Sequence, residues 1–164
     1  MRNAAFLAQL SLLLVLHFSS VTWAGPMEDA EAAYSKGEFA AELRITEPFA
    51  VKGEAWAQTR LALIYLEGSG LVQNSAEAVK WFRLAATQGF SPAQLFLGLM
   101  YYKGQGVVQD YVRSLMWLNL AAVSGNGDAM RNRDIAEKGM NPQQIAEVQK
   151  LVLHCQLQKF KGCD

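Results

Sequence analysis

An all-α solenoid of antiparallel helix pairs is the fold this sequence predicts. Three observations carry the prediction. The chain repeats itself at a step of 36 residues, each unit holds two stretches of helical apolar spacing, and glycine ends each stretch. The 164 residues are 51% apolar and 18% charged, which excludes a disordered chain. Fifteen basic side chains balance fifteen acidic ones, so no nucleic-acid partner is expected. Thirteen Gly against four Pro exclude collagen-like or proline-rich architecture.

Residues 1–24 have the pattern of a signal peptide. Arg2 is their single charge, residues 4–18 are almost wholly apolar, and Thr22-x-Ala24 offers small side chains to a peptidase. The apolar run is short for a membrane-spanning helix, which needs about 20 residues. Cleavage after Ala24 is expected, with no membrane insertion afterwards and a periplasmic or secreted location. The remaining chain would carry 14 basic and 15 acidic side chains, and His154 as its one histidine.

The repeat justifies the central helices. Trp81 falls on Trp117, Tyr65 on Tyr101, Gly68 and Gly70 on Gly104 and Gly106, and Val72-Gln73 on Val108-Gln109. Ala85-Ala86 meets Ala121-Ala122. Gly53, Ala57, Gln58, Leu61 and Leu63 meet Gly89, Ala93, Gln94, Leu97 and Leu99. Typical composition gives about two chance identities over such a span. The first helix of a unit runs over about residues 54–67, with Ala57, Leu61, Ala62 and Tyr65 at helical spacing; its copy uses Ala93, Leu97, Gly98 and Tyr101. Gly-x-Gly stops each first helix, because glycine reaches left-handed dihedrals at little cost. Asn74 and Asp110 are good N-cap acceptors for the second helices, which end before Gly89 and Gly125. A two-helix unit cannot bury its apolar face alone, so units stack.

The ends differ from the middle. Residues 27–36 and 39–51 form a shorter pair joined by Gly37, and Pro48 is expected to kink or shorten its second helix. Residues 128–138 form a polar helix. Pro142 opens the last helix, to about residue 158, with Ile145, Val148, Leu151, Val152 and Cys155 as its apolar stripe. The expected organisation is a degenerate pair at 25–52, repeats at 53–88 and 89–124, and a capping pair at 125–164.

Residues 57–89, AQTRLALIYLEGSGLVQNSAEAVKWFRLAATQG, and 93–125, AQLFLGLMYYKGQGVVQDYVRSLMWLNLAAVSG, resemble the Sel-one-like repeat (SLR) family, a relative of the tetratricopeptide repeats. The pattern is A-x-x-x-L-[AG]-x-x-Y-x-x-G-x-G-V-x-x-[DN]-x-x-x-A-x-x-W-[FL]-x-x-A-A-x-x-G. Leu71 departs from its valine and Ser114 from its alanine. The resemblance implies a right-handed superhelix acting as a protein-interaction scaffold, often in bacterial envelopes. It implies no catalytic residues.

The same residues limit the chemistry. A nucleotide-binding glycine fingerprint would need a preceding strand and a third glycine, and Gln73 and Gln109 stand at that place. Trp81 and Trp117 are read as packing between repeats. No acid–base or nucleophilic set emerges, and one histidine excludes two-His metal motifs, so no catalysis, metal or cofactor is expected. Cys155 and Cys163 in an exported chain point to a disulfide, which requires the last helix to end near residues 158–160. The candidate binding surface is a stripe on the first helices: Thr59, Leu63 and Leu66, then Leu95, Leu99 and Tyr102, then Arg131, Ile135 and Lys138. It grades from apolar to basic, suiting an apolar or acidic segment of a protein or peptide partner. The expected function is therefore a non-catalytic interaction scaffold in the cell envelope. The alternatives are an envelope hydrolase or cell-wall-processing enzyme on the same framework, and a self-associating assembly factor.

Overall fold

The computed structural model describes residues 25–163, and among these every regular element is a helix. The expected signal segment and its cleavage site before Gly25 lie outside the described residues. Helices α1 (Pro26–Ser35) and α2 (Phe39–Val51) form the first pair, α3 (Ala55–Glu67) and α4 (Ser75–Ala86) the second. Helices α5 (Ser91–Lys103) and α6 (Tyr111–Val123) form the third, α7 (Gly127–Glu137) and α8 (Pro142–Leu157) the last. Helices α1 to α7 pack mainly on their neighbours in sequence, α5 also meets α3 and α7, and α8 departs from this by packing mainly on α6. This is a solenoid: contacts stay local and the core runs as a seam through successive pairs. No described helix is long and apolar enough to cross a membrane.

The boundaries follow from the caps. The side chains of Asn74 and Asp110 accept the backbone N–H groups of Glu77 and Arg113 at 3.1 and 2.9 Å, which satisfies donors that a helix start leaves open. Asn141 and Gln144 cap the start of α8 reciprocally, just ahead of Pro142. Pro48 does not shorten α2, which continues through Val51.

The two glycines of each Gly-x-Gly do different work. Gly68 and Gly104 are the helix stops, with φ of 77° and 66°. Gly70 and Gly106 are seats for the preceding unit. A Cβ on Gly70 would lie 3.2 Å from the Cβ of Phe39, the first residue of α2. A Cβ on Gly106 would lie 2.3 Å from the carbonyl oxygen of Ser75, the first residue of α4. Glutamines complete the joint. The Gln58 and Gln94 amides donate to the Ala50 and Ala86 carbonyls, at 3.3 and 3.2 Å, tying each first helix to the end of the second helix before it. Gln73 and Gln109 each donate to the carbonyl seven residues earlier, at 2.7 Å, and close the loop.

The larger core cluster spans α3 to α8 and centres on Phe82, Leu97, Leu115, Trp117 and Leu118, all nearly inaccessible to water. Phe82 stacks on Phe96 across the α4–α5 joint, with ring centroids 5.2 Å apart. Trp81 differs from its counterpart Trp117: it is half-buried, and it bridges this core and a smaller cluster of Ala50, Ala57 and Leu61.

Cys155 and Cys163 are disulfide-bonded, with Cα atoms 5.1 Å apart. The helix ends at Leu157, and the turn that follows brings the thiols together. Lys159 and Phe160 in that turn have positive φ, and the Phe160 ring lies against Gly89. Positive φ costs a non-glycine residue about 1–2 kcal/mol, so the turn depends on the cross-link and on the Phe160 contact. Cys163→Ser, or reduction, is expected to cost roughly 2–3 kcal/mol by the chain-entropy estimate. A lower melting temperature in dithiothreitol is the check; no change would show that the turn holds without its bond.

Candidate functional site

The first helices α1, α3, α5 and α7 share one face, and the predicted stripe divides across it. Thr59 and Leu95 are 6% and 8% exposed and belong to the packed layer. The Thr59 hydroxyl donates back to the Ala55 carbonyl at 2.8 Å. Leu63, Leu66, Leu99 and Tyr102 are half-buried against the core. Arg131, Ile135 and Lys138 are exposed, and Arg131 pairs with Asp128 on its own helix.

Two adjoining clefts open on the N-terminal part of this face, with Arg60 and Leu63 as their shared wall. One, of about 230 Å³, lies among Tyr34 of α1, Glu42 of α2, Arg60, Leu63, Leu66 and Glu67 of α3, and Phe96 of α5. The other, of about 170 Å³, is mostly apolar, with Met27, Trp56, Phe90 and Pro92 around Thr59 and Leu63. The stripe therefore contributes Leu63 to both clefts, Leu66 to the first and Thr59 to the second.

Arg60 organises the first cleft. Its Nε donates to Glu42 Oε1, its Nη1 pairs with Glu31 Oε2 at 2.9 Å, and its guanidinium lies 4.3 Å from the centroid of the Tyr34 ring. The Tyr34 hydroxyl donates to Glu67 Oε2 at 3.5 Å. Glu42 is wholly buried, and its Oε2 lacks a hydrogen-bond partner, as does Arg60 Nη2. Burial pushes the Glu42 carboxyl above its ordinary 4.5; Arg60 pulls it back only in part, while Glu67 and Glu31 push it further up.

Glu42, Tyr34, Arg60 and Glu67 were not singled out by helical spacing. The repeat register held a signal for Glu42. Extended backward, it sets Phe39, Leu43 and Ala50 on Ser75, Val79 and Ala86, and thereby sets Glu42 on the core alanine Ala78 and Thr46 on Phe82. A carboxylate at a core place of a helical repeat needs a partner, and Arg60 is that partner.

The folded Glu42 carboxyl holds its proton to higher pH than the unfolded one. Its contribution to stability is thus full below 4.5 and is lost as pH rises through the raised folded value. Glu42→Gln keeps the shape and cannot ionise. It is expected to flatten this part of the pH–stability curve, read as melting temperature from below pH 4.5 to neutrality. Parallel curves for the two proteins would remove Glu42 as the cause.

Among the described residues, no three Asp, Glu, His or Cys side chains gather as a metal site would require. Residues 57–90 and 91–126 match the Sel1 repeat, starting a few residues later than the 36-residue spacing placed the units. No curated protein matches the chain. Among solved structures it is similar to a protective antigen of uropathogenic Escherichia coli that displays an SLR fold, with 29% identity and a TM-score of 0.76 over 82% of this chain. It is also similar to a Sel1 repeat protein from Oxalobacter formigenes, with 28% identity and a TM-score of 0.58 over 63% of this chain. The chain spans only 31% and 43% of those two proteins. The chain thus contains two Sel1 repeats, set within a run of stacked helices.

Proposed function

We propose that this chain is an exported, non-catalytic scaffold that binds a protein partner on its first-helix face, in the bacterial envelope or outside the cell. The observation that carries the reading is the pair of adjoining clefts between α1, α3 and α5, built on helices locked by amide latches and glycine seats. A framework already ordered loses little entropy on binding, so modest contact area yields useful affinity. Leu63, Leu66, Leu99 and Tyr102 offer apolar contact along the face, and Arg131 and Lys138 add basic groups beyond them, suiting an extended or helical segment. Export is supported by the Cys155–Cys163 bond, which persists in oxidising compartments, and by the signal-like pattern of residues 1–24.

Cross-linked capture from envelope extract tests the reading. Leu63→Ser opens the wall common to both clefts and is expected to weaken partner capture about ten-fold, as loss of a central interface contact does. Leu84→Ser, at an exposed place on α4, is expected to leave capture unchanged, and circular dichroism checks that both variants stay helical. Equal capture by all three proteins would overturn the reading.

A further inference from the structure

The charge around Arg60 sets what the first cleft can take. Arg60 pairs with the carboxylates of Glu31 and Glu42, and Glu67 adds a further carboxylate to the wall of the first cleft, so acidic groups outnumber the one cation. Arg60 is already held by two of them and by the Tyr34 ring. The second observation is Glu42 itself: it is wholly buried, it lines the cleft, and its Oε2 has no donor. An orphaned buried oxygen costs free energy, which a donor entering the cleft would recover. The Leu63, Leu66 and Phe96 side of the cleft is apolar and suits the alkyl stem of a long side chain.

We infer that this cleft receives a basic side chain, arginine or lysine, presented by the protein partner. The stem lies along Leu63 and Phe96, and the charged head sits between Glu42 and Glu67. The inference rests on the scaffold reading and adds the residue that the partner inserts. Glu42 and Glu67, beside a cation that is already paired, oppose an acidic side chain at this place, and the burial of Glu42 makes an ion pair with it count for more than one at open surface. The acid-preferring end of the face, at Arg131 and Lys138, lies on another helix, so the partner segment would bring its basic residue to one end only.

The test is an NMR titration of isotopically labelled protein with Nα-acetyl-arginine N-methylamide at millimolar concentration. The neutral isostere, Nα-acetyl-citrulline N-methylamide, and the corresponding glutamate derivative serve as comparisons. The expected result is a saturable shift confined to Glu42, Leu63, Phe96 and their neighbours with the arginine probe. Binding should be roughly five-fold weaker or more with citrulline, and weaker again in Glu67→Gln, an exposed position where folding is not at stake. Equal response to arginine and citrulline, a response to the glutamate probe in their place, or no saturable shift would each overturn the inference. A failed titration beside a partner capture that Leu63→Ser still weakens overturns the basic-side-chain assignment alone and leaves the scaffold standing.

Discussion

Trp117→Ala is expected to cost about 3–5 kcal/mol, the loss that follows truncation of a large aromatic in a packed core. Trp117 is 0% exposed, sits in the middle of α6, and packs within the cluster that joins α4, α5 and α8. Its indole N–H has no hydrogen-bond partner, so removing the ring strands no polar group, and the cost is lost apolar contact plus the cavity left behind. A single domain has only about 5–15 kcal/mol to lose, so the variant should melt far below the parent. Trp81→Ala supplies the comparison. The same residue type, one repeat earlier, is half-buried, and its removal should cost less. Thermal and urea unfolding of both variants decide the matter. A Trp117 variant as stable as the parent, or no worse than the Trp81 variant, would show that the ring does not hold the repeats together.

Gly106→Ala should be nearly as damaging for a different reason. The added methyl would fall 2.3 Å from the Ser75 carbonyl oxygen and 2.8 Å from the Ala76 nitrogen, both backbone atoms at the start of α4 that cannot swing aside. Overpacking costs typically about 1–3 kcal/mol, and a left-handed φ adds about 1–2 for a residue with a Cβ, giving an expected loss of about 2–5 kcal/mol. Gly104→Ala is the control within the same loop. It shares the positive φ, but its methyl would meet the Gln109 Cβ at 3.1 Å, within its own loop, and it should pay mainly the dihedral cost. The order of unfolding midpoints, parent above Gly104→Ala above Gly106→Ala, is the expected outcome. Equal losses would mean that the contact between units adds nothing to the dihedral cost.

The helices and their caps were legible because they depend on local chemistry. Apolar residues at helical spacing, Asn74 and Asp110 as acceptors and Pro142 at a first turn each act within a few residues, and the observed ends fall within one or two residues of the expected ones. The second glycine of each Gly-x-Gly was legible as a glycine but not as a seat. Its partner, Phe39 or Ser75, is a whole unit away in sequence. Gln58 and Gln94 were likewise visible as identities, while their acceptors at Ala50 and Ala86 needed the stacked pairs. The candidate site was half legible. Spacing shows which side chains share a face, yet it does not show how far a neighbouring helix covers that face. Thr59 and Leu95 were therefore counted as surface although the adjoining helices enclose them. The acid–base cluster arises between three helices of the degenerate first pair and its neighbour, where no repeat pattern marks it.

The glycine seats give the array a direction. Each loop reaches back onto the beginning of a helix made earlier, so the start of α2 is covered only when the loop bearing Gly70 exists, and the start of α4 only when the loop bearing Gly106 exists. A chain leaving the ribosome N-terminus first thus finishes each joint one hairpin late. A nascent chain interrupted between Ala86 and Gly106 would carry a helix start at Ser75 without the loop that seats on it.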